Sequence, residues 1–197
     1  MEVLVVGNTA YVDDDFCAKA FPGDHVQVVA AQDTRRDESS PHASWKELLQ
    51  HLEQAYEFDR VVYLSNYLTP HTDTVGDIEQ LRSVFRACAG RRVQLLFVAG
   101  PASAEGAADA AGRTGKGIIA RAANDLCRYY AASEGVQTKI LRVPFLYTAS
   151  AALEDPFLVP LFDACSTGSV ALQGAEDAAF PLLCAEELAV LVRRIFD

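Results

Sequence analysis

This sequence predicts an α/β fold: a doubly wound, mainly parallel sheet, followed after Pro144 by a region of different pattern. Two observations carry that reading. Short runs of Val, Ile and Leu recur along the chain without strict polar alternation, as strands buried on both faces require. Segments of helical periodicity lie between them, and strand–helix–strand order forces right-handed crossovers in an open sheet.

The predicted strands are Val3–Val6, Val26–Ala30, Arg60–Leu64, Val93–Ala99 and Thr138–Val143. The first predicted helix, Asp14–Phe21, is short. Ser44–Tyr56 follows Ser39-Ser40-Pro41, and Ser44 with Glu47 fits a capping box. Thr74–Ala89 carries Ile78, Leu81, Val84, Phe85 and Cys88 at helical spacing and stops at Gly90. Gly117–Ser133 carries Ile118, Ile119, Ala122, Leu126, Cys127 and Tyr130 and stops near Gly135. Ala102–Gly117, rich in Ala and Gly, reads as a mobile loop. After Pro144 the pattern changes: Pro156 and Pro160 bracket an apolar turn, Phe157–Phe162. Gly168–Leu172 and Phe180–Cys184 read as short strands, and a final helix spans Ala185–Phe196.

The chain has 197 residues, 50% of them apolar and 22% charged, which is globular composition and fits a single domain. Its formal charge of −10 argues against nucleic-acid binding, which needs clustered Lys and Arg, and against an anionic membrane surface. No apolar run approaches the ~20 residues of a membrane-spanning helix. The stretch Met1–Gly7 lacks the basic region of a signal peptide, so a cytoplasmic protein is expected. Five scattered cysteines (Cys17, Cys88, Cys127, Cys165 and Cys184) form no CxxC pair and read as buried thiols. His25, His42, His51 and His71 show no ligand-like spacing, so no metal site is expected.

Four stretches carry a family resemblance: Val3–Val12; Arg60–Ala99; Asp125–Thr148, with the strand end Leu141-Arg142-Val143-Pro144 and Tyr147; and Phe180–Val192. In that order they resemble the extended short-chain dehydrogenase/reductase superfamily of NAD-dependent epimerases and dehydratases. The resemblance implies a Rossmann-like domain over residues 1–197, in which 144–197 is a reduced remnant of the family's substrate-binding region. It also implies NAD or NADP at the first turn, with Gly7, Asn8, Thr9, Ala10, Tyr11 and Val12 as cofactor positions. Asp33 and Arg35, with Arg36 beside them, would face the ribose and its phosphate, and Ala99 would close the site at the fourth strand.

This chain departs from the family's pattern where the chemistry resides. Ala10 and Asp13 stand at the second and third glycine places, and Asp13-Asp14-Asp15 opens the helix on which a diphosphate would sit. Like charges there oppose the cofactor. The family's Tyr-x-x-x-Lys pair falls on Lys116 and Ala120, and no Tyr-x-x-x-Lys occurs in the chain. The serine place falls near Ala99 or Gly100, with Ser103 the nearest hydroxyl. Substitute chemistry would have to use Ser65, Tyr67 or Lys116. Gly112–Gly117 resembles half a phosphate loop but lacks the first glycine and the final hydroxyl of that motif.

Three functions stay open on these residues. The first is a degenerate, non-catalytic member used for binding, dimerisation or assembly, with or without a protein partner. The second is a compact epimerase, dehydratase or reductase with displaced catalytic groups. The third is a dinucleotide sensor. The resemblance further implies a homodimer through helices 74–89 and 117–133, whose apolar stripes would pack against their copies.

Overall fold

The computed structural model describes residues 1–7, 9, 11–30, 58–65, 74–100, 115–147 and 182–197. In chain order the elements are β1 (Glu2–Gly7), α1 (Asp14–Ala20), β2 (His25–Ala30), β3 (Arg60–Leu64), α2 (Thr74–Cys88), β4 (Gln94–Ala99), α3 (Gly115–Ser133), β5 (Gln137–Arg142), β6 (Phe145–Tyr147), β7 (Leu182–Cys184) and α4 (Ala185–Phe196). The helix expected at Ser44–Tyr56 and the segments at Phe157–Phe162 and Gly168–Leu172 lie outside the described residues.

Five strands form one parallel sheet in the order β2-β1-β3-β4-β5. The register runs Gly7↔Ala30, Gly7↔Leu64, Leu64↔Val98 and Val98↔Leu141, so the carboxyl ends of the strands are level. β6 and β7 pair in parallel as a separate two-stranded sheet.

Strand alternation sorts the core into two clusters, one on each face of the sheet. Leu4, Val6, Val61, Tyr63, Leu95 and Phe97 pack with Leu81, Val84 and Phe85 of α2 and Ala123, Cys127 and Tyr130 of α3. Phe85 and Tyr130 stack with centroids 4.7 Å apart and planes 5° off parallel. On the other face Val3, Val5, Val62, Leu64, Leu96 and Val98 pack with Phe16 and Ala20 of α1 and Leu188, Ala189 and Val192 of α4. The central strands β1, β3 and β4 are thus buried on both faces, which is why their sequences read as continuous apolar runs, while the edge strands β2 and β5 are only partly buried. This is the doubly wound α/β arrangement the sequence predicts.

Winding reverses at β1. The chain moves outward from β1 to β2 through α1 on one face, and from β3 to β4 and β5 through α2 and α3 on the other. Right-handed crossovers demand this change of face when the direction of winding changes. In open α/β sheets the ligand crevice lies at such a reversal, which here falls between the carboxyl ends of β1 and β3.

Helix α3 begins at Gly115, two residues before the expected start, so Gly115–Gly117 belong to the helix and not to the preceding loop. The remainder of that predicted loop, 102–114, lies outside the described residues.

Candidate functional site

The crevice is built first by Gly7, the last residue of β1. Its φ is +109°, and a Cβ placed there would sit 2.1 Å from the carbonyl oxygen of Leu64. Only glycine lets the two strand ends approach this closely, so the residue is fixed by backbone sterics on two counts. Beyond it, the Val12 N–H donates to the Thr9 carbonyl at 2.9 Å, tightening the turn into α1.

Ser65 follows β3 at the opposite wall. It is fully buried, and its N–H donates to the Val98 carbonyl at 3.0 Å, prolonging the ladder between β3 and β4. Ala99, buried at the end of β4, accepts from the Val143 N–H at 2.9 Å. The register thereby brings Gly7, Ser65 and Ala99 to one edge of the sheet.

Helix α1 carries the decisive electrostatics. Asp13 is its N-cap: the backbone there is extended, and its Oδ1 accepts from the Phe16 N–H at 2.8 Å. A side-chain carboxylate therefore already occupies a donor that a bound anion would need. Asp14 and Asp15 add two exposed charges in the first turn. Their field reaches the neighbouring thiol: burial chiefly raises the pKa of Cys17, and the charges of Asp14 and Asp13 raise it further. Lys19 stands in the last turn and pairs with Glu186 at 2.9 Å; that bond chiefly raises its pKa, with Asp15 and Asp13 adding to the rise, so a single cation already committed to Glu186 faces the three carboxylates.

The remaining sequence-predicted positions divide sharply. Tyr11 is buried in the second core cluster, with Val12 half-buried against it, and Thr9 is half-buried in the turn. Lys116 stands in the first turn of α3, and Ala120, at the family's lysine place, is buried. Asn8, Ala10, Asp33, Arg35, Arg36, Tyr67 and Ser103 lie outside the described residues. Among the described residues no group of three or more His, Cys, Asp or Glu side chains could hold a metal ion. None of the described helices is long and apolar enough to cross a membrane. A shallow apolar niche of about 10 Å³, room for a single water, is lined by Leu4, Phe58, Val61, Val84, Cys88 and Arg91 among others; it lies toward the opposite end of the strands and contains none of the predicted site residues.

Sequence reasoning placed carboxylates at the start of α1 but missed that Asp13 is hydrogen-bonded as the cap. An Asp three residues before Phe16, at the edge of a predicted helix, was the available signal. It also missed the complete burial of Ser65, which a hydroxyl at a strand end does not announce.

No protein-family model matches the sequence, and no curated protein matches it. Solved structures do match. L-threonine dehydrogenase from Phytophthora infestans superposes with a TM-score of 0.76 at 13% identity, covering 100% of this chain and 72% of that one. The dTDP-glucose 4,6-dehydratase DesIV from Streptomyces venezuelae, crystallised with NAD, gives 0.73 at 12% identity, again covering 100% and 72%. The capsular polysaccharide assembling protein CapF from Staphylococcus aureus gives 0.64 at 16% identity, and the chain spans 50% of its length. The fold is theirs. It is the Rossmann-like fold of the NAD-dependent epimerases and dehydratases, and the Gly7 crevice lies at the reversal of winding where that architecture opens its ligand cleft.

Proposed function

We propose that this protein is a non-catalytic Rossmann-like relative of the NAD-dependent epimerases and dehydratases, used for binding or assembly. The observation that carries this reading is the Asp13 carboxylate hydrogen-bonded to the N-terminus of α1, flanked by Asp14 and Asp15. A diphosphate and a capping carboxylate compete for the same N–H groups and the same positive end of the helix dipole. The absence from the sequence of any Tyr-x-x-x-Lys pair, with buried Ala120 at the lysine place, removes the family's means of proton transfer at a sugar hydroxyl. Residues 144–197 are then a reduced form of the substrate-binding region, and 1–197 work as one scaffold.

A second reading is favoured by Gly7, whose tight turn is what a dinucleotide-binding crevice needs, and by the NAD present in neighbouring structures such as DesIV. In it, the chain is a compact NAD(P)-dependent epimerase, dehydratase or reductase, or a sensor that binds the dinucleotide without turnover. Titration with NADH and NADPH, followed by nicotinamide fluorescence, separates the two. The non-catalytic assembly reading expects no saturable signal at millimolar cofactor. Saturable binding with turnover of a nucleotide-sugar refutes it, and saturable binding alone assigns the sensor.

A further inference from the structure

The chain carries a formal charge of −10, yet one stretch of it is basic throughout. From Gln80 to Ala104 the sequence holds Arg82, Arg86, Arg91 and Arg92 and no Asp or Glu. The fold gathers these arginines around the carboxyl end of α2. Arg82 and Arg86 are exposed one turn apart on its outer face, while Leu81, Val84 and Phe85 face the sheet. Beyond Gly90, with φ at +72°, the Arg91 N–H donates to the Cys88 carbonyl at 3.1 Å. That turn brings Arg91 and Arg92, both exposed, back beside the end of the helix. The patch lies toward the amino ends of the strands, away from the Gly7 crevice.

Stability does not account for this patch. Arg86, in the last turn, offsets the helix dipole, but Arg82 lies a full turn earlier, and like charges at i and i+4 weaken a helix. Among the described residues no carboxylate forms an ion pair with Arg82, Arg86 or Arg92, Glu79 three residues before Arg82 included. Asp59, at the same end of the sheet, turns its Oδ2 to the Glu2 N–H at 2.9 Å. A copy of the same patch offers only like charge. We infer that the carboxyl end of α2 docks an acidic polypeptide segment, whose carboxylates, four residues apart on a helix, meet the Arg82 and Arg86 guanidinia as bidentate pairs. A long polyanion such as a nucleic acid fits less well, because its further charges come within a screening length of ~8 Å of a chain whose net charge is −10. The inference rests on the binding-and-assembly reading above and gives the partner its chemistry.

Fluorescence anisotropy with the full chain tests it. The probe is a labelled, alanine-rich helical peptide bearing glutamates at four-residue spacing, compared with a twin that has glutamine in their place. In ~10 mM salt the acidic peptide binds saturably and the twin does not, and binding weakens as salt rises to ~150 mM. Arg82→Gln/Arg86→Gln weakens binding roughly 3- to 30-fold and leaves the thermal unfolding midpoint in place, since relief of the like-charge pair offsets the lost dipole contact. Arg193→Gln/Arg194→Gln, an equal change of net charge at exposed positions on α4, leaves binding unchanged. No saturable binding at low salt overturns the inference, as does equal weakening by both double variants. Tighter binding of a single-stranded oligonucleotide of matched charge also overturns it and assigns the patch to phosphate. NADH titration of the same samples is a separate readout: dinucleotide turnover would overturn the non-catalytic reading and leave this docking surface standing.

Discussion

Replacing Asp13 separates its two roles. Asp13→Asn keeps a side-chain oxygen for the Phe16 N–H, now 2.8 Å from Oδ1, and removes the charge. Asp13→Ala removes both. The cap is worth ~1 kcal/mol, so the alanine variant melts ~2–4 °C lower, while the asparagine variant melts with the native protein. For the dinucleotide, a phosphate charge seated ~5 Å from the carboxylate is opposed by ~3 kcal/mol at an effective dielectric of 20 and by ~0.8 kcal/mol in bulk water. Asp13 is exposed, so the value lies between these limits, and Asp13→Asn brings NADH affinity roughly 5- to 100-fold closer to the millimolar range that the native protein is expected not to reach. In ~1 M salt, where the screening length falls to ~3 Å, the two proteins converge. Nicotinamide fluorescence and thermal unfolding supply the measurements. NADH binding by Asp13→Asn no tighter than native would refute the electrostatic argument, whatever happens to the melting temperature.

Three further outcomes follow. Gly7→Ala forces a Cβ onto the Leu64 carbonyl at a φ of +109°, so it destabilises by ~3 kcal/mol or more, measured by urea unfolding; an unfolding midpoint equal to native would show that the turn is not built as described. Burial raises the Cys88 and Cys127 thiols to about 12, so both stay protonated when folded and release protons on unfolding above pH 9. Stability therefore holds below pH 9 and falls as pH rises from about 9 toward 12, at up to ~1.4 kcal/mol per pH unit for each thiol. Denaturation curves across that range should show a shallower decline in the Cys88→Ala/Cys127→Ala variant. At pH 8, alkylation with mass mapping finds half-buried Cys184 modified well before either of them.

The centre of the sheet was legible because β1, β3 and β4, buried on both faces, leave an unbroken apolar signature, and Arg60–Leu64 is recovered residue for residue. Elsewhere the ladder set the ends: Glu2 and His25 join because they are register partners, which no local pattern encodes. β6 was invisible, since three residues after Pro144 are too few to show alternation. Gly115-Lys116-Gly117 reads as loop because two glycines oppose a helix by ~1 kcal/mol each, yet Gly117 is buried in α3, so packing overrides propensity. Tyr11 stands in the turn expected to meet a coenzyme, and its side chain packs with Phe16 and Phe21 in the core, a placement that sequence spacing does not show.

The two faces of the sheet place different demands on their helices. α1 is only seven residues long, so the sheet face it covers must be completed by α4, which supplies Leu188, Ala189, Val192 and Phe196. The end of α4 is held there by Arg60 Nη2 donating to the Phe196 carbonyl, by the Arg60 guanidinium 5.1 Å above the Phe196 ring, and by Lys139 Nζ donating to the Ile195 carbonyl. Cations at the carbonyl end of a helix also offset its dipole, as Glu186 and Glu187 do at the other end. α1 is thus capped by its own Asp13 and packed against α4, an arrangement fully accounted for by stability. Across the sheet α3 runs for 19 residues and packs Ala123, Cys127 and Tyr130 on the core beside α2. Each face leaves some apolar side chains at the surface, Ile118 and Tyr129 on α3 and Val190 on α4, as isolated exposed side chains are common on folded proteins.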